Sequence, residues 1–151
     1  MAEQDLLDLE HFLPYRLSVL SNRISQDIAR LYADRFGLAV TEWRVLAVLG
    51  RHPGLSAREV AERTAMDKVA VSRAIASLVE AGRLLREVDH GDRRRAVLRL
   101  SPAGEAIYRQ VAPLALAYQS RLLEGLGEDE RAALDRLLTR MEELELATRP
   151  G

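Results

Sequence analysis

The chain of 151 residues contains no cysteine, so disulfides, zinc–thiolate centres and cysteine redox switches are excluded within it. No stretch of eighteen or more apolar residues occurs, so the sequence offers no membrane span and no membrane partner. Histidine is scarce. His11, His52 and His90 fall at a helix start, a Pro-Gly turn and a hairpin, without the His-Glu-x-x-His spacing of a metal site. A glycine-rich phosphate loop and a Gly-x-Ser-x-Gly elbow are also missing, and the paired acids Glu142-Glu143 fall on a polar helix face. These absences argue against an enzyme and imply no cofactor. They leave a zinc-sensing regulator without a ligand cluster. The opening residues, Met1-Ala2-Glu3-Gln4-Asp5, are acidic and lack the basic start of a secretory signal, which predicts a cytoplasmic location.

Lysine is nearly absent too: a single Lys accompanies 21 Arg. The net charge of −1 alone argues against a nucleic-acid partner, but the charge is unevenly distributed. Residues 51–100 carry eleven Lys or Arg against seven Asp or Glu, a net of +4, whereas residues 1–50 have five against seven and residues 101–151 six against nine. A basic centre lies between acidic flanks. Hydrophobic residues make up 48% of the chain, enough for the core of one compact domain.

The apolar residues Leu13, Leu17, Leu20, Ile24, Ile28 and Leu31 recur at steps of three and four, which predicts one long helix ending near Phe36-Gly37. Thr41 is the expected N-cap of a second helix carrying Trp43, Val45, Leu46 and Leu49, closed by His52-Pro53-Gly54. Ser56-Ala57-Arg58-Glu59 reads as a capping box for a short third helix, with Leu55 and Val60 at the staple positions. Asp67 caps a fourth helix whose buried stripe is Val71, Ile75, Leu78 and Val79, stopped by Ala81-Gly82. Leu84 to Val88 and Ala96 to Leu100 form a hairpin around the polar tip Asp89–Arg95. Ser101-Pro102 opens a long fifth helix toward Leu123, which Pro113 should kink. After the break Gly125-Leu126-Gly127, the last helix carries Leu134, Leu137, Leu138, Met141 and Leu144 on one side.

Two short helices joined tightly and followed by a hairpin make the outline of a winged helix-turn-helix, in which the second helix enters the major groove. Once the apolar stripe of the helix after Asp67 faces inward, Lys68, Val69, Ala70, Ser72 and Arg73 are left outward. Arg pairs with guanine O6 and N7, Ser with several base edges, and Val69 or Ala70 fits a thymine methyl. The plainer reading is an ordinary charged surface helix. Arg93-Arg94-Arg95 at the hairpin tip shifts the balance, because Arg enters narrow minor grooves favourably. Asp92 beside them fits a role in holding the turn and an Arg in place. A solvated charged turn is the plainer reading there.

Leu46-Ala47-Val48-Leu49, Ser56–Ala61, Val71–Gly82, Asp92–Arg95 and Leu100-Ser101-Pro102-Ala103-Gly104 follow one another in an order and spacing that resembles the MarR family of transcription factors over nearly the whole chain. The Asp-x-Arg of that family's wing matches Asp92 and Arg94, and its Ser/Thr-Arg pair on the recognition helix matches Ser72-Arg73. The resemblance implies a single domain over 1–151, mainly α with a small β-hairpin wing. Its winged-helix lobe spans about 41–100, and its dimerisation helices about 12–36 and 102–146. It further implies a homodimeric, ligand-responsive repressor on a pseudo-palindromic DNA operator. Candidate DNA contacts are Ser56, Arg58, Lys68, Val69, Ala70, Ser72, Arg73, Asp92, Arg93, Arg94 and Arg95. The family's small-molecule effectors place a candidate ligand site at His11, Tyr15, Arg16 and Trp43, where an aromatic surface and a fixed cation suit an aromatic acid. A winged-helix protein-interaction module without specific DNA binding is the competing class; it should expose apolar residues on the recognition face, where Val69 and Ala70 are the only ones.

Overall fold

The computed structural model describes residues 6–149; the acidic Met1–Asp5 start lies outside the described residues. Nine elements follow a short 3-10 turn at Leu9–His11: α1 (Leu13–Ala29), α2 (Ala33–Phe36), α3 (Val40–Arg51), α4 (Ala57–Thr64), α5 (Lys68–Glu80), β1 (Leu84–Val88), β2 (Ala96–Leu100), α6 (Pro102–Leu123) and α7 (Glu128–Thr148). The chain divides into two compact units, one reaching Ala115 and the other starting at Leu116. The mainly α architecture with a two-stranded antiparallel wing is as expected.

The predicted first helix is interrupted. At Arg30–Tyr32 the backbone tightens, with Leu31 N–H donating to Ile28 O at 2.9 Å and Tyr32 N–H to Ala29 O at 3.1 Å. These are i to i−3 bonds, and they let the Tyr32 ring turn fully into the core. Burial holds the Tyr32 hydroxyl above its ordinary pKa, opposed by the charge of Arg44. Gly37 closes α2 in the left-handed conformation, as anticipated. The next cap differs: α3 starts two residues earlier than a Thr41 cap would place it, with Ala39 as N-cap and its N–H bonded to Glu42 Oε1 at 2.9 Å. Here a carboxylate three residues on does the capping that a side chain at the cap usually shares.

The helix-turn-helix follows its predicted code closely. Glu59 N–H donates to Ser56 Oγ at 3.2 Å while Ser56 N–H donates to Glu59 Oε1 at 3.1 Å, completing the capping box of α4. Asp67 Oδ2 accepts from Ala70 N–H at 3.0 Å and caps α5. Between the helices Ala65 adopts φ 52°, the left-handed turn that redirects the chain. Val45, Leu46 and Leu49 of α3, Val60 of α4, and Val71, Ile75 and Leu78 of α5 meet in one core with Leu84, Leu98, Ile107 and Val111.

β1 and β2 pair from Leu84 opposite Leu100 to Val88 opposite Ala96. A two-stranded ribbon is marginal alone. This one gains a third edge at Leu55, whose carbonyl accepts from Leu98 N–H at 2.8 Å. Where the ribbon ends, Ser101 Oγ donates to Gly82 O at 2.6 Å and accepts from Gly104 N–H at 3.1 Å, bolting the start of α6 to the α5–β1 turn. Gly104 is demanded by this contact: a Cβ there would lie 2.1 Å from the Arg83 carbonyl oxygen. Helix α6 runs on through Pro113 without a break in its helical span.

In the unit beginning at Leu116, α7 is capped by Gly127, whose N–H donates to Glu130 Oε1 at 2.9 Å. Arg131 Nε reaches back to Leu123 O at 2.9 Å and closes the turn. No described residue of α7 is buried; Leu137 is 56% exposed. The front of α1 is also open, with Leu20 56% exposed.

The close joint at Gly104 and the cap at Asp67 should each be measurable in stability. Gly104→Ala should destabilise by about 1–3 kcal/mol, because the backbone carbonyl it meets cannot rotate away. Gly125→Ala, where a Cβ meets open space, should be close to neutral; circular-dichroism melting of both variants checks the contrast. Asp67→Ala should remove about 1 kcal/mol with an unchanged urea m-value, since it deletes one cap without altering the surface exposed on unfolding.

Candidate nucleic-acid interface

The caps of α4 and α5 decide which side chains face outward. With Val71, Ala74, Ile75 and Leu78 buried, Lys68, Val69, Ser72 and Arg73 are exposed and Ala70 is half-buried. Arg58 stands on the first turn of α4, paired with Glu62 at 3.1 Å. The two helices enclose a cleft of about 210 Å³ lined by Ala57, Arg58, Ala61, Lys68, Val71 and Ser72. The fold therefore brings together Arg58, Lys68 and Ser72, three of the candidate DNA contacts, at the mouth of the helix pair. Ser56 is occupied as the cap of α4.

The wing tip sorts its charges into two kinds. Asp89 Oδ1 accepts from Gly91 N–H at 2.9 Å and Asp92 Oδ1 from Arg94 N–H at 3.0 Å, two side-chain turns that shape the loop. Asp92 thus holds the turn through the backbone, and the carboxylate that grips an Arg is Asp89. Arg93 and Arg94 are exposed, their side chains unpaired among the described residues. Arg95 is half-buried and paired with Asp89 Oδ2 at 3.2 Å and with Glu59. The sequence does not single out Asp89 and Glu59. The Asp89-His90-Gly91 turn pattern is a usable signal for the first, but nothing local connects residue 59 to residue 95.

The residues expected to hold a ligand separate into two groups. His11 Nδ1 lies 2.8 Å from Asp8 Oδ2 in the 3-10 turn, and Tyr15 and Arg16 are exposed on the first turns of α1. Trp43 instead packs between aromatic rings, its centroid 5.6 Å from Tyr32 and 6.2 Å from Tyr108. No hydrogen bond or ring contact joins the two groups among the described residues. Tyr108 escapes the sequence reading; it packs closely against Gly50 of α3, where a Cβ would come within 2.6 Å of its ring.

Further polar links tie the neighbouring elements to the helix-turn-helix. Arg44 of α3 donates to Ser25 Oγ of α1 at 2.7 Å and approaches Met66 Sδ, in the turn before α5, at 3.7 Å. His52 is held below its ordinary pKa, first by desolvation and then by the charges of Arg63 and Arg51; Arg63 Nη1 lies 3.4 Å from its Nε2. No group of three or more metal-ligating side chains occurs among the described residues, and no described helix is long and apolar enough to cross a membrane.

Comparison with known proteins agrees with this geometry. The model of the MarR family matches residues 36–95, which hold α3 through the wing tip. A curated relative, the HTH-type transcriptional regulator BilQ of Clostridium symbiosum, is 29% identical over 93 residues, spanning 62% of this chain and just under two thirds (65%) of its own length. The fold superposes on a MarR-family transcriptional regulator from Silicibacter pomeroyi with a TM-score of 0.76 at 26% identity, covering 95% of this chain and 94% of that one. It also matches Bordetella bronchiseptica BpsR, whose structure concerns regulation of DNA binding by 6-hydroxynicotinic acid (TM-score 0.77, 25% identity, 91% and 97% covered). The transcriptional repressor CouR, bound to a 23-mer DNA duplex, matches with a TM-score of 0.76 at 25% identity, with 93% and 99% covered. In its sequence motifs, its winged helix-turn-helix and these relatives, the chain is similar to the MarR family of DNA-binding transcriptional regulators.

Proposed function

We propose that this regulator is a cytoplasmic, ligand-responsive repressor that binds a pseudo-palindromic operator as a homodimer. The observation that carries the reading is the pairing state of its cations. Lys68 and Arg73 on the outer face of α5, and Arg93 and Arg94 on the wing tip, are exposed and unpaired among the described residues. On this reading α5 lies in the major groove, with Lys68, Val69, Ala70, Ser72 and Arg73 toward base edges and Ser56 and Arg58 toward the flanking backbone. The wing enters the adjacent minor groove with Arg93 and Arg94, where a narrow groove concentrates negative potential.

A dimer is supported by the open apolar faces. Leu13, Leu17 and Leu20 of α1, and Leu134, Leu137, Leu138 and Leu144 of α7, are all exposed in the single chain, apolar rows at helical spacing that a second copy would cover. The winged-helix lobe at about 41–100 and the helices at about 12–36 and 102–146 then act as one domain, with half-sites about one duplex turn apart.

For the effector, we read an aromatic carboxylate anchored by Arg16, with His11, Tyr15 and Trp43 beside it. BpsR, regulated by 6-hydroxynicotinic acid, supports the class. Release works by population shift: the ligand favours a form whose recognition helices are spaced wrongly for the operator.

Fluorescence anisotropy with promoter DNA flanking the protein's own gene, against random duplex as competitor, tests the reading. Dimer-stoichiometric binding that survives competition and weakens steeply with salt is expected. Arg73→Ala should cost about 1–3 kcal/mol, some 5- to 150-fold, and relax base choice. Arg94→Ala should lower the salt slope by about 1.8, roughly 0.9 for each of the two copies in the dimer, with the largest loss at narrow minor grooves. Wild-type binding by both variants removes the assignment.

Calorimetry against a panel of aromatic acids should give a roughly 10- to 100-fold weaker affinity for Arg16→Ala, the loss of a charged hydrogen bond. Equal affinity in the two proteins eliminates Arg16 as the anchor.

A further inference from the structure

The third arginine of the wing differs from the other two. Arg95 is half-buried, and its guanidinium is shared between Asp89 Oδ2 at 3.2 Å and the Glu59 carboxylate on α4. That same Glu59 oxygen accepts from Ser56 N–H at 3.1 Å. One carboxylate oxygen therefore caps α4 and holds the neck of the wing. The backbone closes the same point, with Asp89 N–H donating to Arg95 O at 2.9 Å and Arg95 N–H to Asp92 O at 3.0 Å. At the root of the ribbon, Gly54 N–H and Leu55 O both bond to Leu98.

We infer that Arg95 is a positioning residue and not a phosphate contact: it locks the wing to the first helix of the helix-turn-helix, and so sets where Arg93 and Arg94 lie relative to the reading face of α5. This rests on the DNA-binding reading above. With two carboxylates against one guanidinium, the Arg95–Asp89–Glu59 cluster carries no net positive charge with which to displace counterions from DNA. Without the pair, the tip hangs on a two-stranded ribbon that is weakly held by itself.

The decisive comparison uses the full chain, with Arg95→Gln, Glu59→Gln and the double variant. Gln at position 59 still serves a capping box, so α4 keeps its cap while the ion pair is lost. In the absence of DNA, amide hydrogen exchange at Asp89 and Arg95 should quicken about two- to fivefold in each single variant, the scale of one partly exposed ion pair, with α3 unchanged. Unchanged exchange at the wing overturns the inference, whatever the protein does with DNA.

On a duplex selected by the wild-type protein from a random-sequence pool, Arg95→Gln should weaken binding about two- to fivefold without changing the salt slope. Arg94→Ala, measured alongside, should lower that slope by about 1.8, roughly 0.9 for each copy in the dimer. Glu59→Gln should also weaken binding, although it removes a negative charge that repels DNA, and the double variant should be no weaker than either single one. A slope reduced by Arg95→Gln, together with tighter binding by Glu59→Gln, makes Arg95 a phosphate contact and refutes the positioning role. Failure of the wild type to select any duplex refutes the DNA reading instead, and the exchange measurement then decides Arg95 by itself.

Discussion

The first turn of α4 is the joint on which the helix pair and the wing depend. A helix start leaves backbone N–H groups without intrahelical partners, and a buried one must satisfy them. Here Ser56 and Glu59 satisfy two of them reciprocally. Leu55, one residue before the cap, gives its backbone carbonyl to β2. The same short segment therefore ends a strand-like edge, caps a helix and receives Arg95 from the wing. The helix pair and the wing are registered to each other because both are attached at this one place.

The exit from the lobe is fastened in a similar way. Ser101 caps α6 while bonding Gly82, and Gly104 lets α6 approach the Arg83 carbonyl. Arg83 in turn donates to the Phe36 carbonyl at 2.6 Å, which ties the turn after α5 to the end of α2. Arg44 ties α1 to the turn before α5. These polar contacts fasten the turns at both ends of α5 to α1, α2 and the start of α6.

What the sequence discloses follows from the range of the interactions involved. The capping box of α4, the Asp67 cap, the hairpin and the Ser101-Pro102 start are coded within a few residues, and they stand where the residues indicate. The division of the first helix is hidden because the apolar periodicity continues through it: Ile28 and Leu31 fit an unbroken stripe, and only the burial of Tyr32 breaks the turn. Thr41 is a good cap by type, yet Glu42 reaches back to Ala39 and starts α3 earlier. The partners of Arg95 and Trp43 lie far away in the chain, at Glu59 and Tyr108, and no local pattern names them.

Charge shows why counting residues is a weaker guide than locating them. The basic centre of the chain takes its excess from many arginines, but several are neutralised internally: Arg58 by Glu62, Arg99 by Glu87, and Arg95 by Asp89 and Glu59, while Arg83 is held by a backbone carbonyl. Those contacts hold the scaffold, and the ion pairs add little field beyond a Debye length. Lys68, Arg73, Arg93 and Arg94 are exposed and unpaired among the described residues, and they stand on α5 and at the wing tip. The lobe thus uses part of its arginine excess in internal ion pairs and leaves the rest exposed, among it the cations on α5 and the wing tip.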